Sequence, residues 1–530
     1  MTEQKQQKRT IAKSAASVGI AVMCSRILGL IREQVFAGLF GAGFIYDAFV
    51  VAFRIPNLLR DLFAEGALSA AFVTVFSAYD KQRTKEETWH LAANVLNFIL
   101  ILLSTITLFM IFFAGEIVFL LAPDFSLIDG KTELTVLLTR IMSPFLVFIS
   151  LSAVVMGILN TKGHFFIPAI ASSFFNLGSV IGGTALAFIL PRYGQPAIVG
   201  MAVGTLIGGM LQLGVQIPSL YRTGFRYTPR VRITDPGLRR ILSLMIPATV
   251  GLSATQINLF INTNFAASCP EGSVSWLYYA FRLVQLPIGI FGVALSIAML
   301  PVLAKQAADK DIVAMKDTMI SSLTMVFALT VPATAGLIIL SQPIIRVIFE
   351  HGAFTSIDTY ATAETLSLYA IGLFAYSANK VLVPAFYALD KTRYPVIASF
   401  LAIFFNIAII SLSIDAFQHK AIALSTSCTM LINFLFLMVV LYKSLHGYSI
   451  RYLSIGCLKI SIATLALSTL LLLGRFLLAN WLNGTIVQQT TALFFVIFSG
   501  VALYTIILDK LRLTELNILT EKMKARFHRT

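Results

Sequence analysis

The sequence predicts an all-α polytopic membrane protein of about fourteen transmembrane helices, arranged as two six-helix pseudo-symmetric lobes around a central cavity plus two extra C-terminal helices. Three observations carry this expectation. Of the 530 residues 57% are hydrophobic and only 12% charged, which is too apolar for a chain dissolved in water. Apolar windows long enough to cross a bilayer, roughly 20 residues each, follow one another from near residue 15 to near residue 508. Lysine and arginine collect in every second break between them.

The windows fall at 15–40, 44–78, 91–122, 135–160, 165–190, 197–221, 241–268, 272–304, 317–341, 361–389, 394–414, 421–442, 460–480 and 488–508. Met1 to Lys13 is polar and basic, and the apolar stretch after it outruns the short h-region of a signal peptide. It is expected to be an uncleaved first membrane helix. With the N-terminus inside, 28 of the 40 Lys and Arg face the cytoplasm, and the outside gaps hold only Lys131, Arg192, Arg346 and Lys420. That asymmetry predicts an inner-membrane protein with both termini cytoplasmic. It also accounts for the net charge of +15 without nucleic acid. Cys24, Cys269, Cys428 and Cys457 show no C-x-x-C spacing and are expected to be buried small hydrophobes, with no disulfide or metal role.

The chain matches itself at a fixed offset. Ile158 to Asn176 (ILNTKGHFFIPAIASSFFN) aligns without a gap on Ala388 to Asn406 (ALDKTRYPVIASFLAIFFN) at an offset of 230, and the AFRIP run ending at Pro56 meets the LVQLP run ending at Pro287 at 231. An offset spanning an even number of helices relates the halves by an axis along the membrane normal. The expected organisation is an N-lobe at 1–222 (helices 1 to 6), a basic cytoplasmic linker at 223–240 and a C-lobe at 241–445 (helices 7 to 12). Helices 13 and 14 follow at 446–508, and a basic amphipathic tail at 509–530 is expected to lie on the anionic leaflet.

Charge inside apolar windows is costly and needs a partner, water or a function. Helix 1 carries Arg26, Arg32 and Glu33, and helix 2 carries Asp47, Arg54, Arg60, Asp61 and Glu65. Seven residues is about two turns, so Arg26 shares a face with Glu33, and Asp47 with Arg54, a spacing that suits alternating salt bridges. The arginines exceed what such pairing needs. Their planar fork suits phosphate oxygens, and Arg282 in helix 8, the repeat counterpart of helix 2, lets each lobe offer arginine to one compact anion such as a pyrophosphate.

Prolines within helices, among them Pro56, Pro144, Pro247, Pro287 and Pro384, are read as static kinks. Gln256, Asn258, Asn262 and Asn264 in helix 7 are read as interhelical bonding groups ahead of ion ligands. No G-x-x-x-x-G-K-[ST] or H-E-x-x-H occurs, and the six histidines are dispersed, so neither ATP hydrolysis nor zinc chemistry is indicated. The expectation is a non-enzymatic transporter without a cofactor, driven by the membrane potential, a cation gradient or mass action.

Residues 25–73, SRILGLIREQVFAGLFGAGFIYDAFVVAFRIPNLLRDLFAEGALSAAFV, and residues 272–295, GSVSWLYYAFRLVQLPIGIFGVAL, resemble the signatures of the MurJ (MviN) lipid II flippases, within the multidrug/oligosaccharidyl-lipid/polysaccharide exporter superfamily. The likeness runs along the whole chain. It implies a monomeric carrier of lipid II, the undecaprenyl-pyrophosphate-linked peptidoglycan precursor, embedded among membrane lipids and working with the cell-wall synthesis or division machinery. The family's cavity arginines fall on Arg26, Arg32, Arg60 and Arg282, its acidic partners on Glu33, Asp47 and Glu65, and its small cavity residues on Ala37 and Ser275. Arg54 joins the supporting charges. The family's lipid-tail groove falls on helices 13 and 14.

Two departures stand out. Phe281 and Gln285 flank Arg282 where members carry acids, and only Asn262 and Asn406 stand near the carboxylates of the sodium site of some members, so no sodium site is assigned. Rival readings are a drug/cation antiporter of the same superfamily, which needs an acidic cavity, a flippase for another polyprenyl-linked glycan, and a non-transporting scaffold.

Overall fold

The computed structural model describes residues 3–513 and Glu515, with side chains from Val18 onward except those of 63–65. Glu65 and the expected surface helix of the tail therefore lie outside the described side chains. Among the described residues there is no strand. The helices are α1 (Glu3–Phe40), α2 (Phe44–Gln82), α3 (Lys85–Phe112), α4 (Lys131–Thr161), α5 (Phe166–Tyr193), α6 (Ala197–Arg222) and α7 (Pro236–Ala267). They continue as α8 (Ser273–Ala308), α9 (Ile312–Ile339), α10 (Ser356–Ile371 then Leu373–Ala388), α11 (Arg393–Phe417), α12 (His419–Ser444), α13 (Ile450–Leu477) and α14 (Ile486–Lys510). Twelve are long and apolar enough to cross a membrane, thirteen when bent α10 counts as one span. α1 stands outside that count, its side chains being described only from Val18.

Each expected window corresponds to one of these helices, with differences at the ends. α13 starts at Ile450, ten residues before its window, and so takes in Arg451 and Lys459. The window at 91–122 breaks at Phe113 into α3 and a separate short helix, Ala114–Leu121. α4 starts at Lys131, four residues before its window, and so takes up a lysine assigned to an outside gap. Local chemistry explains several starts. Thr84 and Glu87 form a reciprocal capping box at α3, and Asp235 accepts from the Leu238 amide at 2.9 Å with Pro236 opening α7.

The chain divides into two compact units, Met1–Val274 and Ser275–Thr530. In the first, α5 and α6 meet backbone to backbone. A Cβ on Gly204 would lie 2.5 Å from the Gly183 Cα and 2.8 Å from the Ser179 carbonyl, so only glycine permits this approach. Asn94 and Asn97 of α3 clasp the connection between α6 and α7 in an extended course. Asn97 Nδ2 donates to the carbonyls of Thr228 (2.7 Å) and Arg230 (3.0 Å), while Asn94 exchanges bonds with the Arg232 backbone at 3.0 and 2.7 Å.

The start of α2 is held by buried charge. Asp47 is 1% exposed, and its Oδ2 receives the Lys131 ammonium at 3.1 Å and the Gly272 amide at 2.9 Å. The Lys131 ammonium also lies 4.3 Å from the centre of the Phe125 ring. Beyond Pro56 the helix widens into π-helical turns over Arg60–Leu68, and α8 does the same over Ile288–Val293 directly after Pro287. The two prolines matched by the internal repeat thus share a local deformation that accommodates an extra residue in the helical ladder.

In the second unit, α10 bends by 41° at Gly372. Ser427 of α12 enters the helical ladder there, accepting from the Gly372 amide at 3.1 Å and donating to the Leu368 carbonyl at 2.6 Å. α13 and α14 pack on α9, where Ile460, Leu467, Val496 and Leu508 share one core with Leu323 and Phe327. Tyr504 donates to the Ala328 carbonyl at 2.6 Å, and Arg475 to the Ile339 carbonyl at 3.1 Å.

All four cysteines are free thiols. Cys24 is exposed on α1 and the others are half-buried, which corrects the expectation of uniform burial: Cys24 sits among the outward apolar residues Val22, Met23 and Ile27. In the α7–α8 connection, burial pushes the Cys269 thiol up to about 11.

Two stability predictions follow from these contacts. Gly204→Ala must drive α5 and α6 apart, and its thermal unfolding in detergent should show a loss of about 1–3 kcal/mol; Gly214→Ala, where nothing lies within 4 Å, should be near neutral. Lys131→Met strands the Asp47 carboxylate and should cost about 3–5 kcal/mol. Lys131→Met with Asp47→Asn should recover most of that loss, and failure to recover it would show that the ion pair is not what the lysine provides.

Candidate functional site

α1 carries four of the candidate residues in the first unit. Arg32 is 8% exposed, and its Nη2 donates to Glu33 Oε1 at 2.6 Å while the guanidinium carbon sits 5.3 Å from the centre of the Phe175 ring of α5. Glu33 is 2% exposed and receives the Tyr46 hydroxyl at 2.9 Å on its second oxygen. Arg26, two turns earlier, is half-buried. Ala37, one turn on from Glu33, is fully buried.

α2 supplies the second group. Arg60 donates through Nε (3.1 Å) and Nη2 (2.8 Å) to one oxygen of Asp61, with both side chains about a quarter exposed. Arg54 is half-buried, just before Pro56. Beside the alternating pairing expected from seven-residue spacing, the structure shows pairs that spacing does not predict. Glu33 and Asp61 take the arginine immediately before them in sequence, and Asp47 takes Lys131 from α4. Sequence neighbours succeed here because a long arginine can fold along its own helix, whereas Asp47 has a buried ammonium aimed straight at it.

In the second unit, Arg282 is half-buried on α8 and donates from Nη2 to the Tyr278 hydroxyl at 2.7 Å, its guanidinium carbon 4.9 Å from the centre of that ring. The neighbouring Phe281 packs against Tyr369 of α10 with ring centres 5.3 Å apart. Ser275 is fully buried. Of the helix 7 asparagines weighed as bonding groups, Asn264 reaches the Leu120 carbonyl at 3.3 Å; Asn406, near the sodium-site position, accepts from Ser425 at 2.7 Å.

Sequence reasoning missed Lys131, Tyr46, Phe175 and Tyr278 as partners of the charged residues. Tyr278 was within reach, since i to i+4 spacing on a helix places it beside Arg282. Lys131 and Phe175 carried no such signal, because their contacts join elements more than 80 residues apart.

What the arrangement offers chemically is a set of guanidiniums, three of them (Arg54, Arg60 and Arg282) on the π-helical and proline-bearing helices, with Arg32 and Arg60 beside carboxylates and Arg282 beside a tyrosine. Guanidinium forms charge-assisted bonds to phosphate. No group of three or more metal-ligating side chains occurs among the described residues.

Comparison with known proteins places the chain in a family. The family model described as Lipid II flippase MurJ matches residues 36–491. A probable lipid II flippase MurJ of Buchnera aphidicola is 34% identical over 96% of this chain and 98% of its own length, and one of Vibrio cholerae is 34% identical over 97% and 99%. A solved structure of lipid II flippase MurJ in an inward closed conformation is 30% identical, covers 93% of this chain and 98% of its own, and superposes with a TM-score of 0.78. An inward-facing MATE family transporter of the MOP superfamily, 14% identical with a TM-score of 0.69 over 82% of this chain, shares the fold. With a family model matching most of its length and relatives matching nearly all of it, the chain belongs to the MurJ family of lipid II flippases.

Proposed function

We propose that the chain is a lipid II flippase, moving the undecaprenyl-pyrophosphate-linked peptidoglycan precursor from the inner to the outer leaflet of the bacterial cytoplasmic membrane by alternating access. Family membership across nearly the full chain is the observation that carries this reading. The charges support it. A diphosphate in bare hydrocarbon faces an idealised desolvation cost of order 20 kcal/mol per charge. Arg26, Arg32, Arg60 and Arg282 are the groups proposed to replace water around it, and Glu33, Asp47 and Arg54 to set their resting positions. Arg282 is half-buried with its guanidinium on the Tyr278 hydroxyl, and Arg32 must exchange Glu33 for the ligand.

The antiporter alternative requires ionised carboxylates available to a cationic drug. Glu33, Asp47 and Asp61 each already hold a cation. A lipid-tail role for α13 and α14 is also part of the proposal, and their exposed faces carry Leu465, Phe476, Phe494 and Phe498. Their shared core with α9 means that deleting them removes packing as well as any groove. Cytoplasmic termini complete the reading. Of the four cations in the proposed outside gaps, Lys131, Arg346 and Lys420 each sit beside a carboxylate, which sharpens the contrast with the exposed arginines of 222–240.

Depletion of the protein in cells should trap lipid II in the inner leaflet, and an unchanged outer-leaflet supply would reject the reading. In proteoliposomes, Arg282→Ala should cut lipid II flipping about tenfold or more, as expected for losing a charged bond of roughly 1.5–3 kcal/mol, and Arg282→Lys should rescue poorly. Arg32→Ala should stay inactive when combined with Glu33→Ala; a normally active double mutant would make Arg32 a structural partner only. Cysteines introduced at Arg226 and Asp129 should label from opposite sides of the membrane, and labelling of both from outside would overturn the proposed orientation.

A further inference from the structure

We infer that Lys380 on α10 is a second anion contact of unit 2, receiving the substrate's diphosphate between the basic turn at Lys391–Arg393 and Arg282. The inference rests on the lipid II reading above and deepens it.

Lys380 is exposed, although it lies in the middle of a helix that with its partner segment makes a membrane span. Among the described residues no carboxylate pairs with it. An ammonium in that position is tolerated where it meets water or an anion and is penalised where it meets lipid tails. The face on which it sits is not a lipid face. Between Leu373 and Ala388 the exposed residues are Lys380 and Tyr387, both polar. The neighbouring helix α11 exposes Val396, Ile397, Phe400, Phe404 and Ile407, the chemistry expected against hydrocarbon.

The side chain leans towards Arg282. Helical side chains tilt to the N-terminus, and the Lys380 ammonium lies 5.7 Å from the centre of the Tyr376 ring one turn back. Tyr376 in turn lines a small cavity together with Phe281 and Val284, the residues flanking Arg282 on α8. The register of the two helices is set at two levels. Phe281 faces Tyr369, and Gly292 faces Ser377, where an added Cβ would meet the Ser377 backbone at 3.1 Å. Lys380 is therefore roughly ten residues further along than Arg282, about 15 Å at the helical rise of ~1.5 Å per residue. Two cations at that spacing are far enough apart to act in sequence on one diphosphate, and the tyrosine between them offers a hydroxyl and a ring face on the way. The ammonium is a point charge without a fork, which suits a passing contact and leaves the planar grip to Arg282.

The test uses full-length protein in proteoliposomes containing lipid II, with flipping measured against lipid II content for wild type, Lys380→Met and Lys380→Arg, and binding of inorganic pyrophosphate measured on the same preparations. Lys380→Met keeps the length of the side chain and removes the charge. It should raise the half-saturating lipid II content about tenfold while changing the maximal rate by no more than about twofold, and it should weaken pyrophosphate binding and flatten its dependence on salt. Lys380→Arg should restore both. A Lys380→Met protein with wild-type half-saturation and wild-type pyrophosphate binding overturns the inference, as does a Lys380→Arg protein no better than Lys380→Met. Should wild type fail to flip lipid II while Lys380→Met still weakens pyrophosphate binding, the anion contact stands and the proposed substrate falls.

Discussion

A carboxylate sealed from water inside a membrane protein has to be answered by positive charge and by hydrogen-bond donors, and Asp47 is where this chain meets that demand most fully. Its Oδ2 gathers an ammonium from α4 and an amide from the turn before α8. The same turn supplies Glu271, which accepts the Phe44 amide at 2.8 Å. The first turn of α2 is thus tied at two residues, Phe44 and Asp47, so the helix that carries Arg54 and Arg60 starts from a defined angle. Removing water from these groups strengthens every pair that survives and makes every broken one expensive.

The remaining charges follow a graded pattern. Arg32 and Glu33 are almost wholly buried and tightly paired; Arg60 and Asp61 are paired but partly open; Arg282 is half-buried against a tyrosine. That gradient runs from a sealed ion pair to a guanidinium partly open to its surroundings. It also explains how a cluster of like-charged arginines is tolerated in an apolar chain. Arg32, Arg60 and Lys131 each have a carboxylate beside them, and Arg282 a tyrosine hydroxyl.

Much of the fold was legible in the sequence because lipid imposes a simple rule: a spanning helix must be apolar for about twenty residues and must satisfy its own backbone. The helix order and the internal repeat could be read from that rule, and the repeat reappears physically as π-helical turns after Pro56 and after Pro287. The charged candidates on α1, α2 and α8 were legible for the same reason, since they violate the rule. Their partners were not. Lys131 looked like an ordinary loop cation because hydropathy registers its charge but not its direction, and the Arg32 contact with Phe175 joins helices whose packing no periodicity encodes. Ends were misread where capping and short breaks decide them, as at Phe113.

The asparagine clasp on the connection between α6 and α7 sets a mechanical limit. The chain is fastened to α3 up to Arg232, and Asp235 caps the first turn of α7. Only residues 233–235 remain as slack, about 10 Å when fully extended. The start of α7 is therefore on a short leash to α3. It can pivot about that tether but cannot travel away from it, so any large excursion of α7 has to be greatest at its far end, near Ala267, and has to be taken up as tilt.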